Sequence, residues 1–312
     1  MTDSACAVGI DVGGTKIAGA IVSFPSGVTH ERTIISTEPQ RGGGAVLDDV
    51  AALVDELRRQ AAGFEIPLIG VGVGVAELVS LDQRIESDLL IRWRGLPVLD
   101  RLGGPDEVTL EADIRAGALA EAHLGAGREA TSLAYLAIGT GIGLVLVQDG
   151  VPWRGARGSA GTFGYSPIRL YSNSRAEPFD LTVEALGSGP ALVARFRERG
   201  GLAERAEDVI AAAQAGNAIA AAVVSEGAEA IGSSLGFAVD LLDPQLVVIG
   251  GGLGLAPGPY RDTLERAMRR SIWSETNRDI PILDAELGID AALIGAAYRA
   301  WLRWRHSVSA DS

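Results

Sequence analysis

The chain has 312 residues, 47% hydrophobic and 21% charged, with a formal net charge of −13. This is the balance of a soluble globular protein long enough for two domains, and without a basic footprint neither nucleic acid nor an anionic membrane is an expected partner. The single cysteine, Cys6, excludes an intramolecular disulfide and any zinc site built from several cysteines, and it reads as a small core residue.

Met1-Thr2-Asp3-Ser4 carries no basic n-region and no stretch is long enough to span a bilayer, so the cytoplasm is the expected location. Residues 5–10 read as a buried strand, 11–16 as a tight turn, 17–23 as a returning strand and 30–35 as a third. Apolar residues Val46, Val50, Leu53, Val54 and Leu57 recur at helical spacing and predict a helix over 45–61. A strand over 67–75 and a short β-like run at 108–110 follow. Residues 113–124 read as an alanine-rich helix stopped by Gly125 and Gly127.

The opening pattern then returns. Residues 133–138 are apolar, 139–143 are a glycine turn and 144–147 a returning strand, which suggests two related halves. Residues 155–180, rich in Gly, Ser, Pro and aromatics, read as a long loop. Helices are predicted over 182–199, 203–215, 217–242 and from about 260. Strands are predicted over 245–249 and 281–283, and an amphipathic helix closes the chain over 290–303. Alternating strands and helices give an α/β class.

Three apolar strands end in glycine turns, at 13–14, 139–143 and 250–252. Glycine lets backbone N–H groups approach phosphate oxygens with no Cβ in the way. Each turn alone reads equally as a tight hairpin. Together, with hydroxyl donors Thr15 and Thr140 at matching places, they suit a triphosphate, with the third turn under the nucleoside. No G-x-x-x-x-G-K-[ST] run and no G-x-G-x-x-G opening a helix is present.

At this point the sequence resembles the ROK family of repressors and sugar kinases, within the actin-like ATPase superfamily. The matching runs are Gly9-Ile10-Asp11-Val12-Gly13-Gly14-Thr15-Lys16, Ile138-Gly139-Thr140-Gly141-Ile142-Gly143 and Val248-Ile249-Gly250-Gly251-Gly252-Leu253. Gly70 to Val75, Trp93-Arg94-Gly95-Leu96-Pro97 and Ala185-Leu186-Gly187-Ser188-Gly189-Pro190 also fall where the family has similar runs. The resemblance implies a two-domain fold with the active site in the interdomain cleft. The expected division is 1–114 plus 290–312, and 115–289. It also implies an ATP-dependent kinase acting on a sugar-like hydroxyl, with Mg²⁺, and makes a homodimer an expectation. The first phosphate motif begins at residue 9, so no preceding helix-turn-helix of the repressor kind is expected.

Residue by residue, Asp113 matches the family's catalytic base, and Glu121 follows it near the end of the same helix. The family's Asn before that base is Ala112 here. The family's Gly-Glu-x-Gly-His run reads Gly161-Thr162-Phe163-Gly164-Tyr165, so the sugar-binding Glu is Thr162 and the His, which binds both zinc and sugar, is Tyr165. The cysteine cluster that completes the family's zinc site is absent, so no zinc is expected, though the glutamate ending that motif survives as Glu184. The strand-end Pro-Gly facing the sugar reads Ala76-Glu77. Asp11 is implied to organise Mg²⁺ through water, as a hard cation prefers.

Several of these residues also have plainer readings. Asp113 suits a helix N-cap, and Glu184 a first-turn acid. Asp11 suits a turn. Lys16, the only lysine, reads equally as a phosphate neighbour or as solvent-facing. Glu77 is either a surface loop residue or a replacement for the lost sugar-binding Glu. Trp93 and Tyr165 either stack on a ring or pack. His30, His123 and His306 fit no metal or triad arrangement and read as surface residues.

Because the Asn, Glu and His are all replaced, the recognition end is rewritten while the catalytic end is kept. Polar sites discriminate strongly by their hydrogen bonds. A modified hexose, such as a kanosamine-like aminohexose paired with Glu184 and Glu77, is the expected acceptor. A C7-cyclitol or an ordinary hexose is the alternative, and a non-catalytic binding protein is the rival class.

Overall fold

The computed structural model describes residues 4–170, 177 and 179–310. Met1-Thr2-Asp3 and part of the 155–180 segment lie outside the described residues. In the first part of the chain come β1 (Ala5–Val12), β2 (Lys16–Phe24), β3 (Val28–Ser36), α1 (Gly43–Ala61), β4 (Leu68–Val75), α2 (Val98–Arg101), β5 (Val108–Ala112) and α3 (Asp113–His123). Next come β6 (Ser132–Ile138), β7 (Ile142–Gln148), β8 (Val151–Pro152), β9 (Pro167–Leu170), β10 (Phe179–Thr182), α4 (Val183–Gly187), α5 (Gly189–Glu198), α6 (Ala206–Gln214) and α7 (Ala218–Leu242). The chain ends with β11 (Leu246–Gly250), α8 (Pro259–Ser271), α9 (Glu275–Arg278), β12 (Ile282–Asp284) and α10 (Ala291–Ala310).

The chain divides into two compact units, Met1–Glu129 with Gly150–Ala160 and Ile289–Ser312, and Ala130–Asp149 with Gly161–Gly288. The first unit therefore keeps α3, where 114/115 was the expected boundary. The reason is packing: α3 lies on α10 so closely that a Cβ on Gly295 would fall 1.7 Å from the carbonyl oxygen of Ala116.

In the first unit the sheet order is β3-β2-β1-β4-β5. The meander β1–β2–β3 is antiparallel, and β4 and β5 run parallel to β1. Alternation along β1 and β4 sends Val8, Ile10, Val71 and Val73 to one face, where they share a core with Val46, Val50, Val54 and Leu57 of α1. The other face takes α10. A Cβ on Gly72 would lie 1.8 Å from the carbonyl oxygen of Ala296, so only glycine permits this approach. Asp11 is level with Gly74, and Gly74 with Glu111, which aligns the carboxyl ends of β1, β4 and β5. Ligands of open α/β sheets bind at such ends.

The second unit repeats the opening topology. β6 pairs antiparallel with β7 and parallel with β11, as β1 does with β2 and β4. β12 extends the sheet beside β11. Helix α7 fills the core with Val224, Ala228, Ile231 and Leu235. Contrary to expectation, its length and composition would suffice to cross a membrane, but 44% of the qualifying stretch is buried within the protein. A buried core helix has the same composition.

Two expected elements differ. The 182–199 helix is broken at Ser188, which is extended and accepts a 3.3 Å bond from the Ala191 N–H. Pro190 suits the first turn of a new helix and cannot continue an old one. Within the 155–180 segment, a helical turn at Phe163–Tyr165 and an antiparallel ribbon, β9–β10, replace part of the expected loop. Turn-forming composition masked a four-residue pairing.

Candidate active site

In the first unit, Asp11 is the penultimate residue of β1 and is partly buried. Gly13 and Gly14 form the following turn, closed by a 3.0 Å bond from the Gly13 N–H to the Lys16 carbonyl. Thr15 and Lys16 are exposed. The turn is anchored by Thr37, a residue that sequence reasoning missed. Its buried hydroxyl donates to the Gly13 carbonyl at 2.7 Å and its N–H to the Thr15 carbonyl at 3.1 Å. Nothing local in the sequence marks Thr37.

Ala112 is the buried last residue of β5, and Asp113 is the first of α3. Ala112, not Asp113, takes the N-cap position, and Asp113 Oδ1 accepts the Ile114 N–H at 2.6 Å. Burial pushes the Asp113 carboxyl up to about 6; the Ile114 bond and Arg115 oppose the rise, and the charge of Glu77 adds to it. Asp11 is pushed up to about 7, first by burial, then by Asp113, with Lys16 opposing and Asp290 adding. The lysine is therefore solvent-facing and also near enough to act on Asp11.

Glu77 fits neither of its expected roles. It is 4% exposed, so it is no surface residue. Its Oε1 accepts from the Leu90 and Ile91 N–H groups at 2.9 and 3.1 Å, and its Oε2 from Ser87 Oγ and the Leu89 N–H at 2.5 and 2.7 Å. Four donors occupy the carboxylate, and none is left for a sugar. Ala76 beside it donates to the Val12 carbonyl at 3.2 Å. Trp93 is fully buried in the first core, so it packs and does not stack on a ligand.

Behind Asp113 lies a second group that was missed. Buried Glu111 accepts from Arg115 Nε at 2.7 Å and from Arg154, and forms an ion pair with Arg299 at 3.3 Å. Burial alone would raise its carboxyl, but Arg115, Arg299 and Arg154 outweigh that and hold it below the ordinary range. Arg115 also donates to the Gly158 and Val79 carbonyls at 2.6 and 2.7 Å. The i,i+4 spacing of Glu111 and Arg115 was the available signal.

In the second unit, Gly139, Thr140 and Gly141 form the β6–β7 turn, with the Gly139 N–H bonded to the Gly141 carbonyl at 3.0 Å. Gly251, Gly252 and Leu253 follow β11. Gly251 has φ +78° and a Cβ there would lie 2.4 Å from the Ile138 carbonyl oxygen, so glycine is required. The Leu253 and Gly254 N–H groups donate to that same carbonyl at 3.0 and 3.1 Å. The Gly189 N–H, opening α5, donates to the Gly139 carbonyl at 2.9 Å. The second and third glycine turns are thus brought together, with the start of α5 beside them.

Glu184 bends onto the same turn, where its Oε2 accepts the Ile142 N–H at 2.8 Å. A Cβ on Gly164 would lie 3.3 Å from that oxygen, which places the 162–165 segment next to Glu184. Thr162 and Tyr165 are exposed.

The histidines are partly as expected. His306 is exposed, while His30 bonds Ser23 Oγ at 3.0 Å and His123 stacks on Tyr298 at 4.8 Å, both half-buried. Among the described residues, no group of three or more His, Cys, Asp or Glu side chains is placed to hold a metal ion.

Two sheets opened by matching glycine-tipped hairpins, with an acid at the carboxyl end of the first, are the architecture of the actin-like ATPase fold. The chain belongs to the ROK family, whose model matches residues 7–302. A glucokinase of Halalkalibacterium halodurans is 27% identical over 93% of this chain and 93% of its own length. The ROK hexokinase of Thermus thermophilus superposes with a TM-score of 0.78 at 30% identity, covering 96% of this chain and 99% of that one. A ROK family glucokinase from Streptomyces griseus, solved with glucose and AMPPNP, does so with a TM-score of 0.78 at 26% identity, over 95% and 99%. The chain is an ATP-dependent sugar or sugar-like kinase.

Proposed function

We propose that this kinase transfers the γ-phosphoryl group of ATP to a primary hydroxyl of a modified hexose, with Asp113 as general base. The observation that carries the reading is the carboxyl of Asp113, pushed up to about 6 at the carboxyl end of the parallel strands. A base works best with a pKa near the operating pH. The acceptor oxygen attacks the γ-phosphorus, its proton passes to Asp113, and the bond to the β–γ bridging oxygen breaks to release ADP.

The backbone at Gly13, Gly14, Thr15, Gly139, Thr140 and Gly141 would receive the phosphates, with Lys16 near them. Gly251, Gly252 and Leu253 would lie under the nucleoside. Asp11 suits Mg²⁺ held through water. It is a partly buried carboxylate, raised by burial and by a neighbouring acid, and a divalent cation would favour its ionised form. When bound, the ion would neutralise phosphate charge.

The acceptor would meet Ala112, Thr162, Tyr165 and Glu184. Three of these replace polar family residues, which supports an acceptor other than glucose. Glu77, already filled, drops out as a partner for an ammonium group. An aminohexose of the kanosamine kind would rely on Glu184; a C7-cyclitol and ordinary hexoses are the alternatives. Exposed Phe237, Leu241 and Trp273 on the second unit support a homodimer. A cytoplasmic location accords with an ATP-dependent reaction.

The experiment is a panel of hexoses, aminohexoses, N-acylhexosamines and cyclitols assayed with Mg·ATP. A modified hexose should give the highest kcat/KM. Glucose as the best acceptor by far would refute the recognition reading. Tight ATP binding with no transfer to any acceptor would make the protein a non-catalytic binder.

A further inference from the structure

Several observations in the first unit converge on residues 87–91. Glu77 stands where the resemblance expects glycine, and its buried carboxylate takes the Ser87 hydroxyl and three successive N–H groups, from Leu89 to Ile91. Hydrogen bonds to a charged acceptor are about twice as strong as neutral ones, and four on one carboxylate fix the backbone they come from. The far end of the stretch is tied down by Ile91 and Trp93, which are 1% and 0% exposed.

Between these anchors, Leu89 and Leu90 are 44% and 46% exposed. A single exposed leucine means little, but two in succession on a pinned backbone form a fixed apolar surface. That surface borders the machinery. Leu90 lies over the first glycine turn, since a Cβ on Gly14 would come 3.1 Å from Leu90 Cδ1. Asp113 adjoins the strand end that leads into Glu77: a Cβ on Gly74, three residues before Glu77, would lie 3.7 Å from the Asp113 Cα. The stretch thus borders the phosphate turn, and Glu77, which holds it, follows the strand end beside Asp113.

We infer that Glu77 is a positioning residue that holds Leu89 and Leu90 as an apolar wall of the acceptor site, and that this wall selects hexoses bearing an acyl group or lacking a hydroxyl over fully hydroxylated ones. The inference rests on the kinase reading and narrows it. An amphipathic ring gains from hydrocarbon only where it presents hydrocarbon, and hydroxyls facing a leucine lose their water without a partner.

The test compares the wild type with Leu89→Asn, Leu90→Asn and Glu77→Gln, using glucose, deoxyglucose and N-acylhexosamines with Mg·ATP. The ratio of kcat/KM for the acylated or deoxy acceptor over glucose should fall at least about tenfold in one or both leucine variants, mainly through KM, the scale of one apolar contact in a pocket. Glu77→Gln should move the ratio in the same direction. A purely structural role for Glu77 would lower the folded fraction and kcat for all acceptors alike, with the ratio unmoved. Ratios within twofold of wild type in both folded leucine variants would overturn the inference. Sugar affinities by calorimetry give the same ratio without turnover. Absence of turnover with the affinity ratio still shifted would therefore refute the kinase reading and leave the wall standing.

Discussion

Replacing Asp113 by Asn keeps the shape of the side chain and removes its ability to take a proton. General-base catalysis contributes roughly 10²–10⁴-fold, and kcat for the best acceptor should fall by about that much. The structure also sets a pH signature. With the Asp113 carboxyl at about 6 in the free protein, wild-type kcat/KM should be half-maximal near pH 6 and drop about tenfold for each unit below it. Asp11, raised to about 7 partly by Asp113 in the metal-free protein, is coupled to it, and saturating Mg²⁺ should keep Asp11 ionised. Assignment therefore comes from the variant, whose residual rate should lack the Asp113 limb. The assay is a coupled ADP-release measurement from pH 5 to 9 at saturating Mg·ATP, with ATP affinity measured separately and expected to persist. A rate within fivefold of wild type, or an undiminished acidic limb in Asp113→Asn, would refute the role of this carboxylate.

Asp11→Asn should stabilise the metal-free protein at pH 8 by about 1–3 kcal/mol, because a carboxyl raised in the folded state favours folding at low pH and loses that contribution as pH rises from about 4 through 7. Thermal unfolding at pH 4 and pH 8 checks the sign: the gain should vanish at pH 4, and activity should fall. Gly251→Ala should cost about 1–3 kcal/mol and raise the KM for ATP, since φ is +78° and the new Cβ would press on the Ile138 carbonyl. Denaturant titration and ATP kinetics would show both effects. Glu111→Gln should destabilise by about 3–5 kcal/mol, because it leaves three guanidinium groups around a neutral amide. A midpoint unchanged in urea would contradict the buried network.

Much of the framework was legible in the sequence. Strand–glycine–strand patterns at 13–14 and 139–143 marked both hairpins, because glycine between two apolar runs is a local signal of a tight turn. Asp113 was found from its run Leu110 to Arg115. Less legible were features made by residues far apart in sequence. Thr37 joins the first turn across 24 positions, and Arg154 and Arg299 reach Glu111 from segments with no shared motif. The division of the chain moved from 114 to 129 because α3 packs on α10, a contact that local propensity does not contain.

What the sequence by itself determined is the family, the α/β class, the three glycine turns and the place of Asp113 at the start of a helix, all of which depend on local backbone geometry or on a residue type at a fixed place in a motif. Tertiary structure alone decided what Glu77 is. In the sequence it was an acid where the resemblance expects glycine, free to be a surface residue or a sugar ligand. In the fold, burial demanded partners for its charge, and the N–H groups of Leu89, Leu90 and Ile91 supplied them. Burial likewise raised Asp113 and Asp11, since desolvation depends on what surrounds a carboxylate and not on its neighbours in the chain.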